Sequence, residues 1–554
     1  MLCEKSNFTA FLYLLVASCL LNYSLPILSI SVYLINANII DIHMKHVYWL
    51  ILWMACSFTM QAQYVLTGMV TDIQEKIPVI GATVTLLEVQ KGVVTDKNGA
   101  FELTDIEAGF YTLEVSMLGY HLLIDLVDIN SDKVLAIGLV PSEILLDDVL
   151  VKSTRATDNT ATSYTTIDKT NIDKVNLGQD VPFLLDQTPS VVVTSDAGAG
   201  IGYTGIRIRG SDATRVNVTI NGIPFNDSES QGTYWVDLPD FASSVENIQI
   251  QRGVGTSTNG AGAFGGSVNI QTTGLQPKAY GEINTSLGSF NTLKNNVQFG
   301  SGLINSKFAI DGRLSRITSD GYIDRASSDL QSYFLSAAFY GKNSIVRANV
   351  FAGKEVTYQS WGGVPEAYLD IDSLRTYNEY TYDNQVDDYL QNHYQLHYAQ
   401  AITPAMNFST AVHYTKGKGF YEQYKEGQSL SDYGFENTTA YNQYITETDT
   451  IYSLIEETDL IRRKWLDNDF YGFTYGLNYG KDKLNTSLGG AWNKYIGGHF
   501  GEVIWSDFAG DGTIRDRYYD NTGTKIDWNI FWKTDYRFAN SLLAFVDLQY
   551  RTID

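Results

Sequence analysis

The stretch Val245-Glu-Asn-Ile-Gln-Ile-Gln-Arg252, followed by Gly260-Ala-Gly-Ala-Phe-Gly265 and Gly266-Ser-Val-Asn-Ile-Gln-Thr272, decides the fold. Its middle fits G-x-G-x-x-G, the pattern that cradles a pyrophosphate in dinucleotide-binding folds. That chemistry needs a helix directly after the glycines, whose free N–H groups meet the phosphate. Here the residues after Gly266 alternate and are rich in β-branched types, which predicts a strand. Gly253, Gly260, Gly262, Gly265 and Gly266 therefore read as positions of tight turning or close backbone approach.

On the N-terminal side, Ile206–Arg209 and Val216–Gly222 are predicted strands, and Thr170–Leu185 a pair of polar helices. Residues 166–275 thus form one compact α/β unit. From Ala279 on, the pattern changes. Phe308, Ile310 and Leu314 oppose Lys307, Asp311 and Arg313; Met406, Phe408, Val412 and Tyr414 oppose Asn407, Ser409 and His413. One face suits lipid and the other water, the period-two signature of a membrane β-barrel. Tyr414, Trp492, Trp528 and Trp532 suit interfacial girdles.

Connections alternate in length. Gly480–Lys483 and Phe538–Ser541 read as tight turns. Residues 355–392, 417–468 and 497–526, rich in Tyr, Asp and Glu, read as long outer loops where ligand contacts lie. Tyr358, Trp361, Tyr421 and Tyr424 are the candidate ligand-binding residues. His393 and His397 alternate with Tyr394, Leu396 and Tyr398, so they lie on a strand facing the lumen and are not assigned to a metal.

Composition supports a β protein outside the cytoplasm. The 554 residues carry 39 Lys and Arg against 62 Asp and Glu, a net charge of −23. Such a chain repels nucleic acid. Its three cysteines, Cys3, Cys19 and Cys56, precede residue 63, so the body has no disulfide framework and no cysteine-ligated metal. Residues 44–62 read as a signal peptide cleaved after Ala62. Residues 1–43 read as a mis-assigned N-terminal extension, with translation starting at Met44; a retained membrane helix over Phe8–Ile40 is the competing reading. Residues 64–140 form a β-sandwich of about seven short strands, with a hairpin turning at Asp96-Lys-Asn-Gly99. Residues 141–165 are a linker.

Two resemblances follow from quoted motifs. Gly68-Met-Val-Thr-Asp72, Pro78-Val-Ile-Gly-Ala-Thr-Val84, Thr95-Asp-Lys-Asn-Gly-Ala-Phe101 and Gly109-Phe-Tyr-Thr-Leu-Glu-Val115 resemble the carboxypeptidase-regulatory-like domain, a binding or spacer module without peptidase chemistry. Gly205-Ile-Arg-Ile-Arg-Gly210, Val218-Thr-Ile-Asn-Gly-Ile-Pro-Phe-Asn-Asp227 and the opening stretch resemble the plug domain of TonB-dependent outer-membrane receptors. That resemblance implies a plug inside a barrel. It also makes Asp147, Asp148, Val149, Leu150, Val151, Lys152 and Ser153 a TonB box, pulled by an energy-transducing protein of the inner membrane. It implies ion pairs from plug residues Arg207, Arg209, Glu246 and Arg252 to the barrel.

The expected fold is therefore mainly β: an N-terminal sandwich, an α/β plug (166–275) and the first part of a transmembrane antiparallel barrel (278–554). The last region supplies about 10–13 strands against ~22 in plugged transporters, so a truncated record or an interrupted gene is expected. No Walker loop, nucleophile elbow or HExxH is present, and neither a catalytic residue nor a cofactor is assigned. By family analogy the expected function is TonB-dependent import across the outer membrane of a Gram-negative bacterium. The cargo would be a metal chelate such as a ferric siderophore or haem. A glycan importer with a surface lipoprotein partner is the alternative, and a non-transporting adhesin a third.

Overall fold

The computed structural model describes residues 63–554 except 74–75, 118–119, 121–122, 141–154, 157–159, 161, 257, 259–261, 275, 277, 306, 342, 404, 436–440, 446–448, 510–511 and 540–541. The proposed signal peptide and TonB box lie outside the described residues. Among those described, no helix is long and apolar enough to cross a membrane.

The N-terminal region has seven strands: β1 (Tyr64–Asp72), β2 (Thr83–Leu86), β3 (Lys91–Val94), β4 (Ala100–Ile106), β5 (Gly109–Ser116), β6 (Leu123–Ile129) and β7 (Lys133–Leu139). They form two sheets, ordered β4-β1-β7 and β3-β2-β5-β6. Alternation is clear in β5, where Tyr111, Leu113 and Val115 are buried. At Asp96–Gly99 the carboxylate of Asp96 accepts the N–H groups of Asn98 and Ala100, both at 2.8 Å, and Gly99 takes φ +74°. The expected hairpin is corrected here. β3 pairs with β2 and β4 with β1, so the chain changes sheets at this turn.

The plug comprises β8 (Ser163–Asp168), α1 (Lys169–Val175), α2 (Val181–Leu184), β9 (Val191–Ser195), β10 (Thr204–Ile208), β11 (Val216–Ile220), β12 (Ile223–Pro224), β13 (Val245–Arg252) and β14 (Gly266–Thr272). Five strands form one sheet, β12-β11-β14-β13-β8, and β9 pairs with β10. Ser163–Thr165, read from sequence as linker, belong to the edge strand β8. β14 is the strand expected after the glycines, parallel to β11 and antiparallel to β13. The glycines allow close approach. A Cβ on Gly265 would lie 2.4 Å from Ser211 Cβ, and one on Gly266 2.6 Å from the Gln251 carbonyl oxygen.

The wall is one antiparallel sheet of eleven strands. They are β15 (Ala279–Leu287), β16 (Leu293–Ser301), β17 (Phe308–Ser319), β18 (Ser328–Tyr340), β19 (Ser344–Tyr358), β20 (Val386–Thr403), β21 (Met406–Ser429), β24 (Glu457–Lys481), β25 (Leu484–Ser506), β26 (Arg517–Ala539) and β27 (Leu542–Ile553). A hairpin, β22 (Tyr441–Ile445) and β23 (Thr450–Leu454), lies between β21 and β24. Burial inverts the rule of soluble proteins. On β20, Tyr394 and Leu396 are 43% and 47% exposed, while His393 and His397 are 5% and 1% exposed. Apolar side chains face outward, and the polar ones lie covered against the plug side.

The expected loops are also corrected. β21 runs to Ser429, β24 starts at Glu457, and β25 and β26 reach Ser506 and Arg517. Much of 417–468 and 497–526 is paired strand. The turn after β24 has only Asp482 and Lys483 between strands, as the sequence predicts, with Asp482 at φ +52°.

One plug carboxylate has a pH signature. Asp180, beside α2, accepts the Thr204 hydroxyl at 2.9 Å, and burial pushes its carboxyl up to about 8. A raised carboxyl is protonated in the fold and ionised in the unfolded chain. Its contribution is present below the unfolded value near 4 and is lost as pH rises toward 8. Asp180→Asn keeps an acceptor for Thr204 and removes this penalty. We expect its melting midpoint to exceed that of the wild type at pH about 7.5, the gap closing near pH 4; equal midpoints at both pH values would contradict the assignment.

Candidate functional site

The plug segment between β12 and β13 supplies two buried carboxylates, Asp237 and Asp240, with opposite surroundings. Asp240 sits at φ +51°, a left-handed conformation that places its side chain against the wall. Its carboxylate meets Lys294 Nζ of β16 at 2.7 Å and Arg313 Nη1 of β17 at 3.3 Å. It also accepts Ser315 Oγ at 2.7 Å, Ser243 Oγ at 2.6 Å and the Asn296 amide. Burial pushes this carboxyl up, but Arg313 and Lys294 outweigh it and hold the group at about 2. Ser332 of β18 donates to the neighbouring Pro239 carbonyl at 2.7 Å. Phe241 then packs on Phe334 and Phe351 of the wall, with centroids 6.3 and 5.2 Å away. These contacts fix the plug to three consecutive strands and their neighbour β19.

Asp237 opens instead into a cavity of about 450 Å³ between the plug and the wall. The plug contributes Asp196, Tyr203, Phe225, Asp227, Tyr234 and Asp237 to its lining. The wall side contributes Glu355, Trp361, Asp387, Tyr389, Gln391 and Tyr421, with Leu466 and Asn468 from β24. Four rings form a continuous set: Tyr203 is 5.5 Å from Trp361 and 6.5 Å from Tyr234, and Trp361 is 5.6 Å from Tyr421, all edge to face. The Tyr203 hydroxyl donates to Asp387. Glu355 Oε2 accepts Thr357 Oγ1 at 3.1 Å. Burial first, then the charges of Asp387 and Asp227, push the Asp237 carboxyl well up. Burial alone raises Asp196 to about 6.

The residues singled out from sequence divide. Trp361 and Tyr421 line the cavity. Tyr358 is buried and anchors the following loop, its hydroxyl donating to the carbonyls of Tyr380 and Tyr382 at 3.1 and 2.7 Å. Tyr424 donates to Asp459 at the strand rim. Arg252 bonds Ser163 Oγ and the Pro189 carbonyl, both within the plug. Arg207 and Arg209 are exposed and Glu246 is half-buried. Arg209 lies over Gly253, where an added Cβ would be 2.6 Å from Nη1. Among the described residues, the buried ion pairs joining plug to wall centre on Asp240 rather than on these four. Gly260 lies outside the described residues; a Cβ on Gly262 would meet the Thr214 carbonyl at 3.2 Å.

Sequence reasoning missed Tyr203, Tyr234, Asp237, Glu355 and Asp387. For Asp387 a signal existed, since it shares strand parity with the lumen-facing His393 and His397. Among the described residues no group of three or more His, Cys, Asp or Glu is placed to hold a metal ion.

Comparison with known proteins agrees with this architecture. A family model described as a CarboxypepD_reg-like domain matches residues 66–151, and one described as a TonB-dependent Receptor Plug Domain matches residues 156–267. Among solved structures, the chain is similar to the ferric-catecholate import receptor Fiu from E. coli K12, at 12% identity and a TM-score of 0.52, covering 72% of this chain and 57% of that one. It is similar to P. aeruginosa FpvA bound to pyoverdine, at 11% and 0.54, covering 75% and 56%. The ferric citrate transporter FecA matches at 14% and 0.51, covering 71% and 56%. The chain thus spans a little over half the length of these structures. At such identities the likeness speaks for the fold.

Proposed function

Because this chain carries a TonB-dependent receptor plug domain behind a wall with the fold of outer-membrane receptors, we propose that it is an energy-coupled importer of the Gram-negative outer membrane. The observation that carries this reading is the plug itself, fastened to β16, β17 and β18 through Asp240 and Pro239. A blocked path must be opened by work, and the outer membrane has no nucleotide pool. Force arriving from an inner-membrane TonB-type protein through Asp147–Ser153, added as a strand to the partner's sheet, would supply that work. The chain acts here as a receptor and transporter, not as an enzyme. Ligand enters the cavity beneath Tyr203, Tyr234, Trp361 and Tyr421.

For the cargo, the structural neighbours carry ferric catecholate, ferripyoverdine and ferric citrate, which supports a metal chelate. The aromatic and carboxylate lining also supports the second reading, a glycan, since sugars stack on rings and donate to carboxylates. Deleting 147–153 tests the transport reading. Uptake of the cargo should fall to background while ligand binding to the purified protein is unchanged. Uptake that survives the deletion would refute energy coupling through this segment. Growth on limiting iron against growth on a glycan separates the two cargoes.

A further inference from the structure

Asp237 and Asp240 lie three residues apart on one plug segment, and both are buried. Asp240 has two cations of its own. Among the described residues Asp237 has no ion-pair partner, although it is only 6% exposed. Its charged neighbours are all acidic: Asp227 on the same plug segment, and Glu355 and Asp387 from the wall. The lining of the cavity holds five carboxylates, those of Asp196, Asp227, Asp237, Glu355 and Asp387, and no Lys, Arg or His. Of the cations nearby, Arg463 pairs with Glu422 at 2.8 Å and Lys354 pairs with Asp388, while Arg462, close to Tyr421, is held by Gln423 Oε1 at 3.0 Å and the Tyr433 hydroxyl at 2.9 Å and does not line the cavity.

Burying carboxylates without counter-charge costs several kcal/mol unless they are protonated or meet a cation. We propose that the missing counter-charge arrives with the ligand, and that the cavity is specific for an organic cation, an ammonium or guanidinium group. The inference rests on the reading of this cavity as the ligand site and names its substrate class. A bare metal ion fits poorly, because no three of these carboxylates converge as ligands among the described residues. An alkylammonium or guanidinium fits both parts of the lining. It pairs with Asp237, Glu355 and Asp387 below, and it lies against the faces of Trp361, Tyr203 and Tyr421, where a cation is attracted to the ring quadrupole. Within the chelate reading, the same groups favour a chelate that carries an ammonium or guanidinium arm over a wholly anionic one.

Cation binding also has a required pH dependence. Burial and its acidic neighbours keep the Asp237 carboxyl protonated beyond the usual range, so a bound cation must displace that proton. The groups facing it are Asp227, Glu355, Asp387 and the hydroxyls of Tyr203, Tyr234 and Tyr389. None carries a positive charge, so affinity rises with pH as the Asp237 carboxyl gives up its proton.

The test is calorimetric titration of the full chain in detergent with phenethylammonium and, separately, with 3-phenylpropionate. The ammonium should bind at least about tenfold more tightly. Glu355→Gln and Asp387→Asn should each weaken the ammonium, while Asp372→Asn, on an exposed loop, should leave it unchanged. The wild-type comparison requires no variant to fold. Carboxylate binding as tight as the ammonium's, or no ammonium binding up to about 10 mM, overturns the inference. Neither result touches the transport reading, which stands or falls on uptake after deletion of 147–153.

Discussion

Asp240→Ala is expected to destabilise the protein by about 3–5 kcal/mol, because it strands two buried cations in one step. Lys294 and Arg313 are each 2% exposed at the side chain, and neither can reach water without moving the plug. Lys294 retains the Asn176 carbonyl at 3.3 Å and its side-chain oxygen at 3.1 Å, but no charge. Asp240→Asn separates charge from geometry. Asn tolerates the left-handed backbone and can keep the serine contacts, so its loss isolates the ionic part. Combining it with Lys294→Gln should recover part of that loss, since one unpaired cation is removed as well. Thermal midpoints in detergent and proteolysis within the plug measure both effects. A midpoint for Asp240→Ala equal to wild type would refute the assignment of this group as the fastening point. The pair also predicts acid behaviour. A carboxyl held at about 2 contributes stability above its unfolded value and loses it as pH falls through about 2. The fastening therefore persists down to about pH 4 and fails only in stronger acid.

Gly353→Ala is the second large effect. Gly353 lies on β19 where the plug crosses the wall. A Cβ there would stand 2.0 Å from the Asp237 carbonyl oxygen, 2.7 Å from its carbonyl carbon and 2.7 Å from Pro239 Cδ. Backbone and a proline ring cannot swing aside as a flexible side chain would. The methyl must push the plug segment away from the wall, at a cost of about 1–3 kcal/mol or more. The displaced segment carries both Asp237 and Asp240, so ligand binding and plug fastening should weaken together. Gly281 on β15 is the control, since an added Cβ there meets nothing within 4 Å. Gly281→Ala should be neutral or slightly stabilising, because it restores strand preference without a clash. If the two alanines behave alike, close packing at Gly353 is not what restrains the plug.

Sequence patterns carried the architecture where one face of a strand is lipid or core. Phe308, Ile310 and Leu314 announced β17, and the alternation after Gly266 announced β14. The same rule explains the failure at 417–429 and 457–468. Over 461–469 both faces of the strand are half-covered, and in 417–429 the covered positions are Gly417, Gly419, Glu422 and Gln423 rather than apolar residues, so neither stretch shows a two-residue apolar period and both read as loop. The site was less legible than the fold. Trp361 and Tyr421 stood out as aromatics in acidic surroundings. Tyr203, Tyr234 and Asp237 sit in irregular plug segments that have no periodicity to reveal where they point. The fastening at Asp240 depends on Lys294 and Arg313, far along the chain on other strands, a pairing no local spacing encodes. The expectation for Arg207, Arg209, Glu246 and Arg252 came from resemblance, and Arg252 is instead used inside the plug.

The length of β24 has a consequence for how the cell surface is felt at the cavity. Its 25 residues, at ~3.3 Å each and tilted by about 40°, rise roughly 60 Å along the normal, against a hydrocarbon thickness of about 30 Å. On the proposed outer-membrane placement, about 30 Å of hydrogen-bonded ribbon stands in water, several times the ~8 Å screening length at physiological ionic strength. The rim's acidic residues are electrically uncoupled from lipid phosphates and from the divalent ions among them. A charged solute arriving there answers to the protein's own field, and on the proposed receptor role, changing the headgroup composition of the leaflet should leave its capture rate unaltered.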